Sequence, residues 1–323
     1  MADLKGIPSA SANGIPPTRV LVTGATGFIG LRLVRQLLVN GFNVTAVLRP
    51  GRAAADLPAT VRPVHANLLD VSALREAARD ATRVIHLAGV VRGRAYADFA
   101  PVNVHATGTL VEALAGLTPS PPLLHISSLA ARFAAVSHYG ASKLAGEDRV
   151  SEQPIVPWTI LRPPAVYGPG DRELKPLLSL LARGIVIIPG NPDQRLSFLH
   201  VDDLTSACIA WLRDPSAARH RTFTIDDGRQ GGYDWRAIAA AGNARQRIRL
   251  VVPRHVLALL GKLNVLLSGL TGQQPMLSPG KVRELTQDDL TATGTEGNAA
   301  WTAATGWQPT WSLAEGIRNA LAG

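Results

Sequence analysis

The sequence predicts an α/β protein: a doubly wound parallel sheet with helices on both faces, joined to a smaller, mostly helical C-terminal lobe. Two observations carry this. Short apolar runs alternate with segments of helical period between Arg19 and Leu161, and such an alternation closes as a parallel sheet with its crossovers packed on the faces. The rhythm then breaks at Pro163, Pro164, Gly168, Pro169 and Gly170, which mark a loop ahead of a region of different character. With 46% hydrophobic residues in 323, the chain has ample material for a core, and 18% charged residues are too few for a disordered one.

Arg19–Val22 reads as a buried strand. Ile29–Asn40 reads as a helix, with Ile29, Leu33, Val34, Leu37 and Leu38 on its apolar face. Asn43–Leu48 and Val61–His65 are the second and third strands, Val71–Arg79 a helix, and Arg83–Leu87 the fourth strand. Pro101–Ala115 is a helix and Leu123–Ile126 the fifth strand. A helix from Tyr139 to Arg149 leads to the strand Trp158–Leu161. Beyond Arg162 we expect helices and a few short strands, with the chain returning to the sheet near Phe198–Val201.

Composition narrows the function classes. The single cysteine, Cys208, excludes an intramolecular disulfide and fits a reducing compartment. It lies in an apolar helical pattern, so it reads as core. A net charge of +9 suits an anionic ligand or surface. The arginines are scattered and aromatics are only 5%, which argues against nucleic acid. Residues 1–17 are small and polar and read as a loose tail, without the apolar stretch of a signal peptide. No apolar run is long enough to span a bilayer. The expected location is the cytoplasm, with attachment at the inner face of the membrane left open.

The first strand runs into Thr23-Gly24-Ala25-Thr26-Gly27-Phe28-Ile29-Gly30, and a helix comes next. Glycines at 24, 27 and 30 permit a tight turn, close approach to a pyrophosphate, and packing of helix on strand. The helix N-terminus adds free N–H groups and partial positive charge. A glycine pattern alone is weak, but this one has the required strand before it and helix after it. The second strand ends Val47-Leu48-Arg49-Pro50-Gly51-Arg52, without the acid that would bind a ribose 2′-hydroxyl. Arg49, with or without Arg52, could instead pair a 2′-phosphate, so NADP(H) is preferred and NAD(H) is the alternative. Asn67 and Leu68 end the third strand, where an adenine would lie.

Tyr139-Gly140-Ala141-Ser142-Lys143 places Tyr139 and Lys143 four apart, on one helix face. A neighbouring ammonium would lower the tyrosine's pKa and make it an acid/base near neutrality. Ser127 and Ser128 end the fifth strand, beyond which ligands bind in such sheets. Ser128 is assigned to polarising a carbonyl oxygen, and Ser127 is the neighbour that could exchange with it.

These motifs, with HLAG at 86–89, Asn103, SSLAA at 127–131, RPPAVYGPGD at 162–171, FLHVDD at 198–203 and TGWQPTWSLAEGI at 305–317, resemble the extended short-chain dehydrogenase/reductase family in order and spacing. The resemblance implies a Rossmann-type nucleotide-binding domain over 18–165 and a substrate lobe over 166–323, with 195–213 returning to the first. It implies a Ser–Tyr–Lys site of Ser128, Tyr139 and Lys143, ordered by Asn103. It also implies cofactor contacts at Leu87, Ala88, Gly89, Pro163 and Val166, beside Ser127, Tyr139 and Lys143, and substrate contacts at Val91, Ser128, Leu129 and Tyr167. Asp202 and Asp203 read as caps of the helix after them, and His200 as structural. The histidines lack metal-ligand spacing, so no metal is expected.

Departures from the family pattern narrow the reaction. Dehydratases carry an Asp-Glu pair after the catalytic hydroxyl, where this chain has Leu129 and Ala130. Many sugar-nucleotide enzymes place an arginine two residues before the Phe of the FLHVDD-like motif, where Leu196 stands beside Arg195. The expectation is an oxidoreductase that reduces a ketone. The rivals are a sugar-nucleotide epimerase or reductase with bound NAD and a non-catalytic nucleotide-binding protein. In the lobe, Arg245, Arg247, Arg249 and Arg254 precede an apolar run from Val256 to Leu270 whose one charge is Lys262. Core helix, dimer interface, acyl-chain pocket and anionic membrane contact all stay open for it. The segments 231–239, 252–264 and 275–285 are similar to a bacterial branch of the family acting in ceramide synthesis. That likeness implies a lipid ketone substrate, the 3-oxo group of a sphingoid base or its N-acyl product, and a homodimer is a family-level expectation.

Overall fold

The computed structural model describes residues 18–242, 248–271, 275, 277–294 and 296–322. The tail over 1–17, Arg245 and Arg247 lie outside the described residues.

Its elements run β1 (Arg19–Thr23), α1 (Phe28–Val39), β2 (Asn43–Leu48), β3 (Arg62–His65), α2 (Val71–Ala78), β4 (Arg83–His86), α3 (Tyr96–Ala100), a π-helical turn (Pro101–Ala106), α4 (Thr107–Ala115) and β5 (Leu123–Ile126). Next come α5 (His138–Ser151), β6 (Trp158–Arg162), β7 (Ala165–Tyr167), α6 (Lys175–Ala182), β8 (Ile185–Pro189), β9 (Arg195–Leu196), β10 (Phe198–His200) and α7 (Val201–Arg213). The chain ends with β11 (Arg221–Thr224), α8 (Trp235–Gly242), β12 (Ile248–Val252), α9 (Arg254–Thr271), α10 (Pro279–Leu285), β13 (Asp289–Leu290), α11 (Asn298–Thr305) and α12 (Leu313–Ala322).

Seven strands form one parallel sheet in the order β3-β2-β1-β4-β5-β6-β11. The sheet is covered on both faces, which is why its central strands β1, β5 and β6 are buried runs rather than alternating ones, whereas the edge strand β3 is mostly exposed. On one face Leu33, Val34 and Leu37 of α1 pack with Leu204, Cys208 and Trp211 of α7 and Trp301 of α11. On the other, Leu74 and Ala78 of α2 meet Leu110 and Leu114 of α4 and Val150 of α5. Cys208 is core, as its sequence context predicted, and burial pushes its thiol up to about 12. A third cluster, with Leu178, Val186, Ile238, Leu313 and Ile317, holds the lobe together.

Two expectations are corrected here. The strand that rejoins the sheet is β11, which pairs with β6, whereas Phe198–His200 pairs with β7 in a separate two-stranded sheet. After β10 the chain returns to the sheet as a helix: α7 lies against α1 and its Trp211 Nε1 donates to Thr159 Oγ1 of β6 (3.0 Å). Asp202 and Asp203 are also not caps, because the Nδ1 of His200 accepts the first-turn N–H of Asp202 (3.3 Å). Asp202 forms a bidentate pair with Arg32 of α1. Asp203 accepts from the backbone N–H groups of Thr310 and Trp311 (both 3.0 Å), pinning the C-terminal segment. His200 is fully buried and stacks on Trp311 at 4.2 Å, a structural role as expected.

Candidate active site

The strand order reverses at β1, whose neighbours are β2 and β4, and the crevice beyond their carboxyl ends is where such sheets take ligands. The glycine loop fills one side of it. Gly24 holds φ +71°, and a Cβ there would stand 2.7 Å from the Ala88 nitrogen. A Cβ on Gly30 would stand 2.1 Å from the Gly24 carbonyl oxygen. Gly27 caps α1 without a side chain and is exposed, so the first-turn N–H groups near Thr26, Phe28 and Ile29 stay available to an anion. This bare cradle fits a dinucleotide pyrophosphate.

Arg49 is exposed at the end of β2. Arg52 instead pairs with Asp56 (3.4 Å), which weakens it as a phosphate ligand. Asn67 is exposed and closes a small turn, its Oδ1 accepting from Leu69 N (3.0 Å), while Leu68 packs on the core. Leu87 also packs on the core, and Ala88 N donates to Thr23 Oγ1 (3.3 Å). Gly89 lies beside Asn103.

The helix α5 is set by Ser137, whose Oγ accepts from Gly140 N (2.9 Å). Its buried face carries Ser142, Lys143, Gly146, Glu147 and Val150, at helical spacing. Gly146 permits close packing, since a Cβ there would meet the Asn103 carbonyl oxygen at 2.3 Å. Asn103 sits in the π-helical turn, where the residues predicted as one long helix start with the wider winding. Its Nδ2 donates to Val90 O (3.0 Å) and Ser142 Oγ (2.9 Å), and its Oδ1 accepts from Val90 N (2.8 Å). Asn103 thereby ties the loop after β4 to the helix bearing Tyr139 and Lys143.

Tyr139 is half-buried, its ring 6.0 Å from that of Phe99, and the Ser128 hydroxyl is near enough to act on its phenol. The expected depression of its pKa is not found. Burial pushes the phenol up to about 12; the Ser128 hydroxyl opposes the rise and Glu284 adds to it. Lys143 Nζ donates to Ile126 O (2.9 Å), and its ammonium is not among the groups that shift the phenol. Burial brings Lys143 down to about 8, with Glu147 pulling the other way.

Sequence reasoning missed the acids around this pair. Glu147 is four residues beyond Lys143 on the same face, a spacing that could have been read. It is bidentate to Arg162 (Nε to Oε1 2.9 Å and to Oε2 3.1 Å) and accepts from Ser127 Oγ. Ser127 is therefore committed to Glu147, which leaves Ser128 as the hydroxyl facing Tyr139. Glu284 of α10 accepts from Ser137 Oγ (3.1 Å) and pairs with Lys281 (2.6 Å), and no local signal links residues so far apart in sequence. Behind Lys143, His86 and His125 stack at 5.2 Å, both fully buried. Burial, then Lys143, lowers His86 to about 3 and His125 well below its usual value.

The predicted substrate residues separate. Val91 is 54% exposed in the loop after β4. Leu129 is nearly closed off, and its N–H donates to the carbonyl of buried Pro163 (2.8 Å). Tyr167 does not contact substrate space: it is 0% exposed, edge-on to Phe198 and His200 and against Gly316. The residue lies in β7, whose apolar neighbours form the lobe core, so its ring packs inward. Val166 is half-buried against the sheet cluster.

The profile of the NAD dependent epimerase/dehydratase family matches residues 20–225. The chain belongs to that family. It is an NAD(P)-dependent oxidoreductase of the extended short-chain dehydrogenase/reductase type, with a Rossmann-type sheet. A protein of Caulobacter vibrioides (strain NA1000 / CB15N) named ceramide reductase is 36% identical over 281 residues, 84% of this chain and 85% of that one. Human short-chain dehydrogenase/reductase family 42E member 1 is 26% identical, over 65% of this chain and 63% of its own length. UDP-glucuronic acid 4-epimerase from Bacillus cereus, solved with UDP-glucuronic acid and NAD, superposes with a TM-score of 0.69 at 20% identity, covering 94% of this chain and 98% of that one.

Proposed function

We propose that this enzyme reduces a ketone to a secondary alcohol with NADP(H), and that the ketone is the 3-oxo group of a long-chain lipid, a sphingoid base or ceramide precursor. The observation that carries the substrate reading is the reach of the 36% likeness to the Caulobacter ceramide reductase. It extends over 281 residues, whereas the family match ends at residue 225, so the likeness runs into the substrate lobe. Leu196, where sugar-nucleotide enzymes hold an arginine, is half-buried in the lobe core and supports the same choice.

The glycine loop and the N-terminus of α1 would hold the pyrophosphate, and Arg49 the 2′-phosphate. When bound, the reduced nicotinamide supplies the hydride that adds to the carbonyl carbon. Ser128 Oγ holds the substrate oxygen beside the Tyr139 hydroxyl. Tyr139 donates its proton to that oxygen as the C–O bond becomes single, and its high resting pKa keeps it protonated and ready. The Lys143 ammonium stabilises the phenolate that remains.

These groups set the pH dependence. Reduction needs Tyr139 protonated and Lys143 charged, both of which are the low-pH forms. With Lys143 near 8 and Tyr139 near 12, the reductive rate should be flat below the lysine's value and fall as pH rises through about 8. A rate that keeps climbing to pH 10 would show that Lys143 is not needed as a cation.

The substrate reading is tested by monitoring NADPH oxidation with a long-chain 3-oxo sphingoid base, its N-acyl derivative and a panel of UDP-sugars. We expect turnover with the lipids, faster with NADPH than with NADH, and loss of that preference in Arg49→Ala. Turnover of a UDP-sugar, with tightly held NAD and none with the lipids, would overturn the lipid reading.

A further inference from the structure

The helix α9 is amphipathic in the wrong direction for a soluble protein. Its inward side is largely small: Gly261 lies against Pro279 and Val282, Ser268 is buried, and Asn264 Oδ1 accepts from Leu277 N (3.2 Å), with only Leu257 and Val265 as half-buried large apolar residues beside them. Its outward face presents Val256, Leu259, Leu260, Leu263, Leu266 and Leu267, with Leu266 67% exposed. Nearby in sequence, β12 adds exposed Ile248, Leu250 and Val251. Exposed patches of this extent mark a docking surface. Charge identifies what docks. Between Asp234 and Glu284 the sequence has no acidic residue, and on these two elements Arg249 and Lys262 are exposed, whereas Arg254 pairs with Asp288. A second copy of the chain is a poor occupant, because a two-fold contact would set these same cations against each other. An anionic bilayer accepts both the leucines and the cations.

We propose that α9 and β12 form the face by which this protein rests on an anionic membrane, and that the face lies beside the mouth of the active site. The connection is direct. Arg94 of the loop after β4, three residues from Val91, donates to Ser268 O of α9 (2.7 Å). The helix α9 packs on α10, whose Glu284 holds Ser137 at the start of the helix bearing Tyr139. An acyl chain leaving the bilayer along the α9 leucines would reach the crevice without crossing water. This delivery role rests on the lipid-ketone reading; the docking itself does not. No helix among the described residues is long and apolar enough to cross a membrane, so the contact is with one leaflet.

The test is flotation of the full chain with vesicles of phosphatidylglycerol and phosphatidylethanolamine, against vesicles of phosphatidylcholine. Wild-type protein should float with the anionic vesicles, and salt should weaken binding. The variant Leu259→Asn/Leu263→Asn/Leu266→Asn should lose binding by about tenfold or more. A second variant, Arg249→Glu/Lys262→Glu, should lose the preference for anionic lipid while keeping its far-ultraviolet circular dichroism. With a short-chain, monomeric 3-oxo substrate the triple variant should turn over like wild type, and with the long-chain substrate in vesicles it should be slow. Wild-type protein that ignores anionic vesicles overturns the docking, whatever it reduces. Vesicle binding without turnover of any lipid ketone overturns the delivery and the lipid reading but not the docking. A wild-type dimer that the triple substitution converts to monomer, with no vesicle capture, assigns the face to self-association and overturns the proposal.

Discussion

Tyr139→Phe is expected to lower ketone reduction by about a thousandfold while leaving cofactor affinity nearly unchanged. The substitution deletes one oxygen and keeps the ring, so packing against Phe99 at 6.0 Å is preserved. What is lost is the proposed proton donor. Burial holds the phenol near 12, so almost every molecule carries the proton at neutral pH. Without it the developing alkoxide must take a proton from water in a site arranged around a different donor. Titrating the variant with NADPH by fluorescence separates binding from chemistry. Intact binding with turnover within tenfold of wild type would remove Tyr139 from the mechanism.

The second large effect belongs to Glu147→Ala, and it is on stability. Glu147 is buried and holds Arg162, whose side chain is only 21% exposed, together with Ser127 Oγ. Removing the carboxylate strands a guanidinium inside the protein and leaves a buried hydroxyl without its acceptor. Breaking one side of such a pair costs about 3–5 kcal/mol, which for a chain of this size lowers the melting temperature by on the order of 10 °C. The double variant Glu147→Met/Arg162→Met should be less destabilised than the single one, because no charge is left unpaired. Glu147 also raises the lysine's pKa, so Glu147→Gln should move the falling limb of the pH profile to lower pH. Unchanged melting in Glu147→Ala would mean that water reaches Arg162 and the pair is not a buried one.

Both effects turn on α5, where local and long-range information divide. That Tyr139 and Lys143 share a helix face is dictated by their spacing alone, because 3.6 residues per turn leave no choice. The glycine loop is equally local. Gly24, Gly27 and Gly30 declare a tight turn between a strand and a helix, and the structure adds that two of the three positions have no room for a Cβ. The sheet is dictated by the alternation of apolar runs and helical periods, since parallel strands need crossovers and the crossovers need faces to cover.

What the sequence by itself determined was periodic or adjacent: the strands and helices of the first half, the glycine turn between β1 and α1, the Tyr–Lys pair on one helix face, and Cys208 as core. What only the tertiary structure decided was long-range. The seventh strand is Arg221–Thr224 rather than Phe198–Val201, because three residues of β10 pair with β7 and hand over at once to α7. Tyr167 is sealed in the lobe because α12 brings Gly316 against its ring. The phenol of Tyr139 is raised rather than lowered because its burial disfavours the phenolate, and Glu284, which arrives from far along the chain, adds to the rise. The outward leucines of α9 could not be told from core by their spacing, since periodicity reports that a face is apolar and not which way it points. Direction is a property of packing. Here the buried side of α9 is built around Gly261 and Ser268, which let the helix approach α10, and the larger leucines are left outward.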